Sequence, residues 1–338
     1  MFRRPRINIF ITILALLLTP ATSTSKISAN EIVVTTNNTH QKTKTLWSDV
    51  YRELTENNQS IRGGTFIGPL DGNGIRDKLH KNGSRDTIIF VPQGVSFEAP
   101  VDLVFFFHGL NGFKKRDFKT RVLRHTIALK ASNPNYIVII PEMPWSKYTS
   151  TPRGRQGRVF SRKNEFSTFL DSTIAVIVAI FDPSDVRANM CIRKNTCKLN
   201  IGDTILIGHS AGGSALKSIS KSGGMDELYT KFNARAVKVI FSDAGYGRWT
   251  DVAWKYFKLK TNTPTEFLLL TRKWDTPYNN TKRFLKKFRN KPNNIRHVAF
   301  NRKTITHGGI GDQALKWTYE LQESGCGERG INYERSIK

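Results

Sequence analysis

Residues 204–213 read TILIGHSAGG, and the reading of this decapeptide decides the rest of the chain. Thr204–Ile207 is a short apolar run of the kind that forms a strand covered on both faces. Gly208-His209-Ser210-Ala211-Gly212 follows at once, and small residues lead on into a helix-like stretch, Gly212–Lys221. Strand, glycine-flanked serine and helix together predict a sharp turn that pushes the Ser210 hydroxyl out at a helix N-terminus. Side chains at the flanking positions would collide with the neighbouring strand and helix, so glycine is required there. The free N–H groups and dipole of the helix start favour a developing oxyanion beside Ser210, and the N–H of Ala211 is the nearest donor.

Outward from this segment the chain alternates. Apolar runs lie at Thr87–Val91, Val101–Phe107, Tyr136–Ile140, Val237–Phe241, Phe267–Leu270 and His297–Phe300. Helix-like stretches lie at Asn164–Phe181, Thr281–Arg289 and Ile310–Gln322. Such alternation predicts an α/β fold with a doubly wound, mostly parallel sheet and with its chemistry at the carboxyl ends of the strands. The run Val101–Phe107 ends in His108-Gly109, with Leu110 next and Gly112 soon after. A loop in this place supplies a second oxyanion N–H, expected from Leu110, while His108 reads as a hydrogen-bonded structural histidine.

In the order of these motifs the chain resembles the α/β-hydrolase superfamily, and more loosely its secreted esterases. The resemblance spans about residues 85–322 and rests on Ile89-Phe90-Val91-Pro92, Val101–Gly109, Gly208–Gly212 and a late Asp and His. It implies acyl hydrolysis by a serine, a histidine and an aspartate, without metal or cofactor. Only His297 and His307 follow Ser210. His297 sits inside an apolar strand, whereas His307 lies in a loop before the last helix and is the expected base. Two aspartates follow strands in the right interval. Asp275 stands after the strand before the last and is the expected acid; Asp243, one strand earlier, is the alternative, readable also as a turn residue before glycine. Trp145, Tyr246 and Trp274 stand near strand ends as candidates for lining the cleft. The segment 248–264 has room for about one helix as a cap.

The reaction expected is hydrolysis of a carboxylic ester through an acyl-enzyme. A serine peptidase or amidase of the same fold and a non-catalytic basic protein bound to the cell envelope are the rival readings. Partners are then an ester or amide substrate and an anionic envelope or lipid surface, with no nucleic acid. Oligomeric state is not legible.

The N-terminus carries its own message. Arg3, Arg4 and Arg6 precede an apolar run, Ile7–Leu18, and then a small, polar boundary. The run is shorter than a spanning helix needs, so residues 1–25 read as a cleaved signal peptide, with a secreted or periplasmic product. A polar segment, 26–62, the hydrolase domain, 63–325, and a tail, 326–338, complete the expected organisation. The 338 residues carry a net charge of +26, which cleavage would reduce to +23. Basic residues are spread along the chain, with clusters at Lys114–Arg116, Arg153–Arg162 and Lys282–Arg289, and no nucleic-acid motif accompanies them. Three cysteines, Cys191, Cys197 and Cys326, are too few for a disulfide scaffold, although the first two could close a small loop. Asn-x-Ser/Thr triplets stand at Asn37, Asn58, Asn82 and Asn279.

Overall fold

The computed structural model describes residues 63–70, 75–76, 85–92, 95–110, 135–145, 158–181, 199–257, 265–290 and 292–323. The segments expected as signal peptide, polar segment and tail, and the three cysteines, lie outside them. So do the basic cluster at Lys114–Arg116, half of that at Arg153–Arg162, and three of the four triplets.

Eight strands form one sheet: β1 (Gly63–Leu70), β2 (Arg85–Pro92), β3 (Val101–Phe107), β4 (Tyr136–Pro141), β5 (Ile201–His209), β6 (Ala236–Ser242), β7 (Thr265–Arg272) and β8 (Ile295–Phe300). Their spatial order is β1-β2-β4-β3-β5-β6-β7-β8. β2 runs antiparallel to both β1 and β4, and every later pairing is parallel. With the sharp turn at Ser210 this is a doubly wound, mostly parallel sheet of the α/β-hydrolase type. The seven expected apolar runs are all strands. β1 is additional, and its sequence GGTFIGPL hides it, because its interior residues include Gly64, Gly68 and Pro69. Such residues weaken a central strand but are tolerated at a sheet edge, where β1 lies.

Among the described residues six helices flank the sheet: α1 (Glu165–Phe181), α2 (Gly213–Ser222), α3 (Gly224–Thr230), α4 (Trp249–Phe257), α5 (Thr276–Leu285) and α6 (His307–Glu323). Alternate strand residues feed two cores. Phe105, Phe107, Leu206, Val239, Phe241, Phe267 and Leu269 pack with Phe166 and Phe169 of α1, Leu216 and Ile219 of α2, Trp254 of α4 and Phe284 of α5. Val104, Phe106, Ile205, Ile207, Ile240, Leu268 and Leu270 pack with Ile310, Ala314 and Leu315 of α6. Burial on both faces explains why these strands read as continuous apolar runs rather than alternating ones. The basic amphipathic helix expected at Thr281–Arg289 starts five residues earlier, at Thr276, because Pro277 suits the first turn of a helix. The expected single cap helix is α4.

Candidate active site

Ser210 stands directly after β5, where a 3₁₀ turn, Ser210–Gly212, leads into α2. Its φ is +53°, a left-handed conformation that a non-glycine residue adopts at a cost of about 1–3 kcal/mol. The flanking glycines let the chain make this turn. A Cβ on Gly212 would lie 1.9 Å from the Phe107 carbonyl oxygen, and one on Gly208 would lie 2.9 Å from the Gly212 carbonyl oxygen. The elbow is thus pressed against the end of β3. There a Cβ on Gly109 would come within 2.9 Å of the Ser210 Cβ, so the loop after β3 touches the serine because residue 109 has no side chain.

His108 holds that loop. Its ring is buried, and its Nε2 accepts the Met143 N–H at 2.9 Å. Nδ1 therefore carries the proton and donates to the Gly109 carbonyl at 2.7 Å. The peptide unit is planar and trans, so a Gly109 carbonyl turned towards His108 leaves the Leu110 N–H pointing the opposite way. The buried indole of Trp145 donates to the His108 carbonyl at 2.8 Å. Trp145 is accordingly a support beneath the loop, in contrast to the cleft-lining place expected of it.

The histidine is the first residue of α6, one step past the loop in which it was expected. Its Nδ1 meets Asp243 Oδ2 at 2.6 Å. Asp243 follows β6, and β6 lies next to β5 with Ser242 in register with His209, so the aspartate stands one strand across from the serine. Its side chain is 1% exposed, and its Oδ1 also accepts the Arg272 backbone N–H at 3.3 Å. His307 thus pairs with Asp243, the alternative carboxylate, and not with Asp275 as expected. Asp275 does not hold His307; it accepts from Arg272 Nε at 2.7 Å. Beyond β7 the chain turns back on itself, and Asp275, at the N-cap of α5, is drawn to the guanidinium three residues earlier. Arg272 also lies 3.8 Å from Asp243 Oδ2 and so bridges the two carboxylates. His297 takes no part: it pairs with Thr271 Oγ1 at 2.9 Å within the edge of the sheet.

Two contributors, His209 and Ser242, were given no place from sequence, whereas Tyr246 was a candidate for lining the cleft. His209 Nε2 lies 3.0 Å from the His307 carbonyl, and the two rings sit 4.9 Å apart, which ties the start of α6 to the elbow. The Ser242 hydroxyl donates to the Ile310 carbonyl at 2.9 Å and reinforces the same tie. Tyr246, in the loop after Asp243, is half-buried, and that burial pushes its phenol above the ordinary tyrosine range. Adjacency to Ser210 and Asp243 was the only available signal for His209 and Ser242. Trp274 is largely exposed, has a φ of +73° and meets Tyr278 edge-on.

No protein-family model matches the chain, and no curated protein does. Among solved structures, it is similar to a fluorophosphonate-binding serine hydrolase of Staphylococcus aureus, with 13% identity, 77% of this chain and 98% of that one covered, and a TM-score of 0.45. A feruloyl esterase module of Clostridium thermocellum aligns at 12% identity over 75% of this chain and 87% of that one, with a TM-score of 0.44. A thermostable carboxylesterase cloned from a metagenomic library aligns at 13% identity over 86% and 99%, with a TM-score of 0.43. The activities belong to those proteins; the fold of this chain rests on its own sheet order and elbow.

Proposed function

We propose that this chain is an exported serine hydrolase that cleaves a carboxylic ester, with Ser210 as nucleophile, His307 as general base and Asp243 as the acid that orients it. The observation that carries the reading is the bond from His307 Nδ1 to the buried Asp243 carboxylate, one strand from a serine held at positive φ. With Nδ1 committed to Asp243, the imidazole keeps the tautomer whose Nε2 is free to take a proton. Ser210 Oγ attacks the ester carbonyl and His307 accepts its proton. The oxyanion is held by the N–H groups of Ala211, at the helix start, and Leu110, on the far side of the peptide that His108 turns. His307 then protonates the leaving alcohol, and water repeats the sequence on the acyl-enzyme. An ester is the least demanding acyl donor for this machinery, because an alcohol leaves more readily than an amine.

A fluorophosphonate probe tests the proposal. Labelling of the folded protein mapped to Ser210, and lost in Ser210→Ala, is the expected result. Folded protein that resists the probe would refute it. Export is proposed on the Arg-rich, apolar and small-residue layout of residues 1–25, and N-terminal sequencing of the extracytoplasmic product should begin near Thr24–Asn30. Recovery of an intact Met1 would overturn it.

A further inference from the structure

β7 ends beside the carboxylate that faces His307, and its last residue does more than close the strand. Asp243, at φ +47°, donates its N–H to the Leu270 carbonyl at 2.7 Å, and its Oδ1 accepts the Arg272 N–H at 3.3 Å. The Arg272 side chain then folds back over the same carboxylate. Its Nε lies 3.8 Å from Asp243 Oδ2, the oxygen that meets His307 Nδ1. The Nε–H itself is donated elsewhere, to Asp275 Oδ2 at 2.7 Å, and Nη2 reaches that same oxygen at 2.5 Å. The chain brings Asp275 there by reversing through Trp274, at φ +73°. When the imidazole is protonated, four charges of alternating sign therefore stand in a row: His307, Asp243, Arg272 and Asp275. Asp243 is buried, and the Arg272 and Asp275 side chains are 21% and 20% exposed, so water screens the row only in part.

We propose that Arg272 is a positioning residue of this site: its guanidinium, held by Asp275 just beyond hydrogen-bond reach of Asp243 Oδ2, fixes the Asp243 carboxylate and sets how readily His307 takes up a proton. The inference rests on the serine-hydrolase reading and adds a charge pair that the triad and oxyanion hole do not include. The guanidinium opposes a second positive charge on the imidazole, which keeps His307 in its base form to lower pH. Asp275 offsets part of that effect. By taking the Nε–H it also keeps the guanidinium from competing with His307 Nδ1 for Asp243 Oδ2. Removing the Arg272 charge leaves two carboxylates near the imidazole, so the base form is lost earlier on acidification. Removing the Asp275 charge has the reverse effect. Among the described residues, the other titratable and charged groups at this end of the sheet are His209 after β5, Tyr246 after β6, Arg302 and Lys303 after β8, and Asp312 and Lys316 farther along α6. The His209 ring is the nearest of those measured, at 4.9 Å from that of His307, and burial holds the Tyr246 phenol neutral. None of these groups is altered by substitution at Arg272 or Asp275, so opposite shifts from the two positions isolate the pair.

The test follows kcat/KM for para-nitrophenyl acetate against pH, at constant low ionic strength, in wild type, Arg272→Gln, Arg272→Lys and Asp275→Asn. On the acid limb, the rate relative to each enzyme's own plateau should be about threefold lower than wild type in Arg272→Gln and about threefold higher in Asp275→Asn. Arg272→Lys, which keeps the charge, should follow the wild-type limb. The plateau kcat of Arg272→Gln should fall by about tenfold with KM little changed, because Asp243 loses part of its hold. Limbs that move the same way in Arg272→Gln and Asp275→Asn, or do not move, would overturn the proposal even where activity falls. So would an Arg272→Lys limb that matches Arg272→Gln. If circular dichroism shows Arg272→Gln unfolded, Asp275→Asn decides: a limb moved to lower pH supports the proposal, and an unmoved one overturns it. A folded wild type that neither hydrolyses the ester nor takes a fluorophosphonate label would overturn the hydrolase reading, and this role with it.

Discussion

Asp243 and Asp275 are both aspartates after parallel strands, and their partners tell them apart. The buried carboxylate of Asp243 accepts from His307 Nδ1 at 2.6 Å, whereas that of Asp275 accepts from the Arg272 guanidinium. Asp243→Asn should keep the fold but present the wrong partner to the imidazole, at a cost of about 10⁴ in kcat. Asp275→Asn removes the charge paired with Arg272 in a half-buried ion pair that does not touch His307, and should cost less than about tenfold in kcat. Parallel assays of both variants on an activated ester decide between them. Ser210→Ala should lose on the order of 10⁶ in turnover without unfolding, checked by rate assay and circular dichroism. A different residue governs alkaline stability. Burial in β4 raises the Tyr136 phenol well above its ordinary value of 10.0, so the unfolded chain ionises first as pH rises. Its contribution is intact below about pH 10 and is lost progressively above it. Denaturant titrations of wild type and Tyr136→Phe across that range should show a shallower alkaline decline in the variant.

At the scale of elements, the site is an arrangement of strand ends held together by close backbone approach. Gly212 and Gly109 carry different parts of that approach. A methyl group on Gly212 would sit 1.9 Å from a carbonyl oxygen of the neighbouring strand, which cannot move aside without distorting the sheet. Gly212→Ala should therefore lose about 3 kcal/mol or more of stability, measured by chemical denaturation. Gly109→Ala meets the Ser210 Cβ at 2.9 Å in a loop that can shift. It should fold, yet displace the oxyanion loop and slow acyl transfer by about 10²-fold, measured as kcat. The two helices that meet the site are seated by contacts of the same economy. His209 and Ser242 fasten α6 by its first turn, and Ala244 meets the start of α2.

For the whole molecule, the net charge of +26, or +23 once residues 1–25 are removed as proposed, sets a positive field around the protein. Such a field raises encounter rates with anionic substrates and is screened over about 10 Å at 0.1 M salt. Added salt should lower kcat/KM several-fold for a negatively charged ester and leave a neutral one nearly unchanged, a comparison made with matched acetate and succinate esters. What the sequence by itself determined was the local part of this protein. Continuous apolar runs marked seven of the eight strands, because burial on both faces leaves no polar alternation to read. The glycine-flanked serine marked the elbow, because steric crowding there admits no side chain. The edge strand Gly63–Leu70 escaped, since an edge tolerates the Gly and Pro that elsewhere argue against a strand. The carboxylate partner of His307 escaped for a different reason. Chain order permits a carboxylate after β6 or after β7, and only the tertiary structure decided between them. It set β6 beside the nucleophile strand and turned Asp275 back onto Arg272, so His307 meets the aspartate that is nearer in space although farther in sequence.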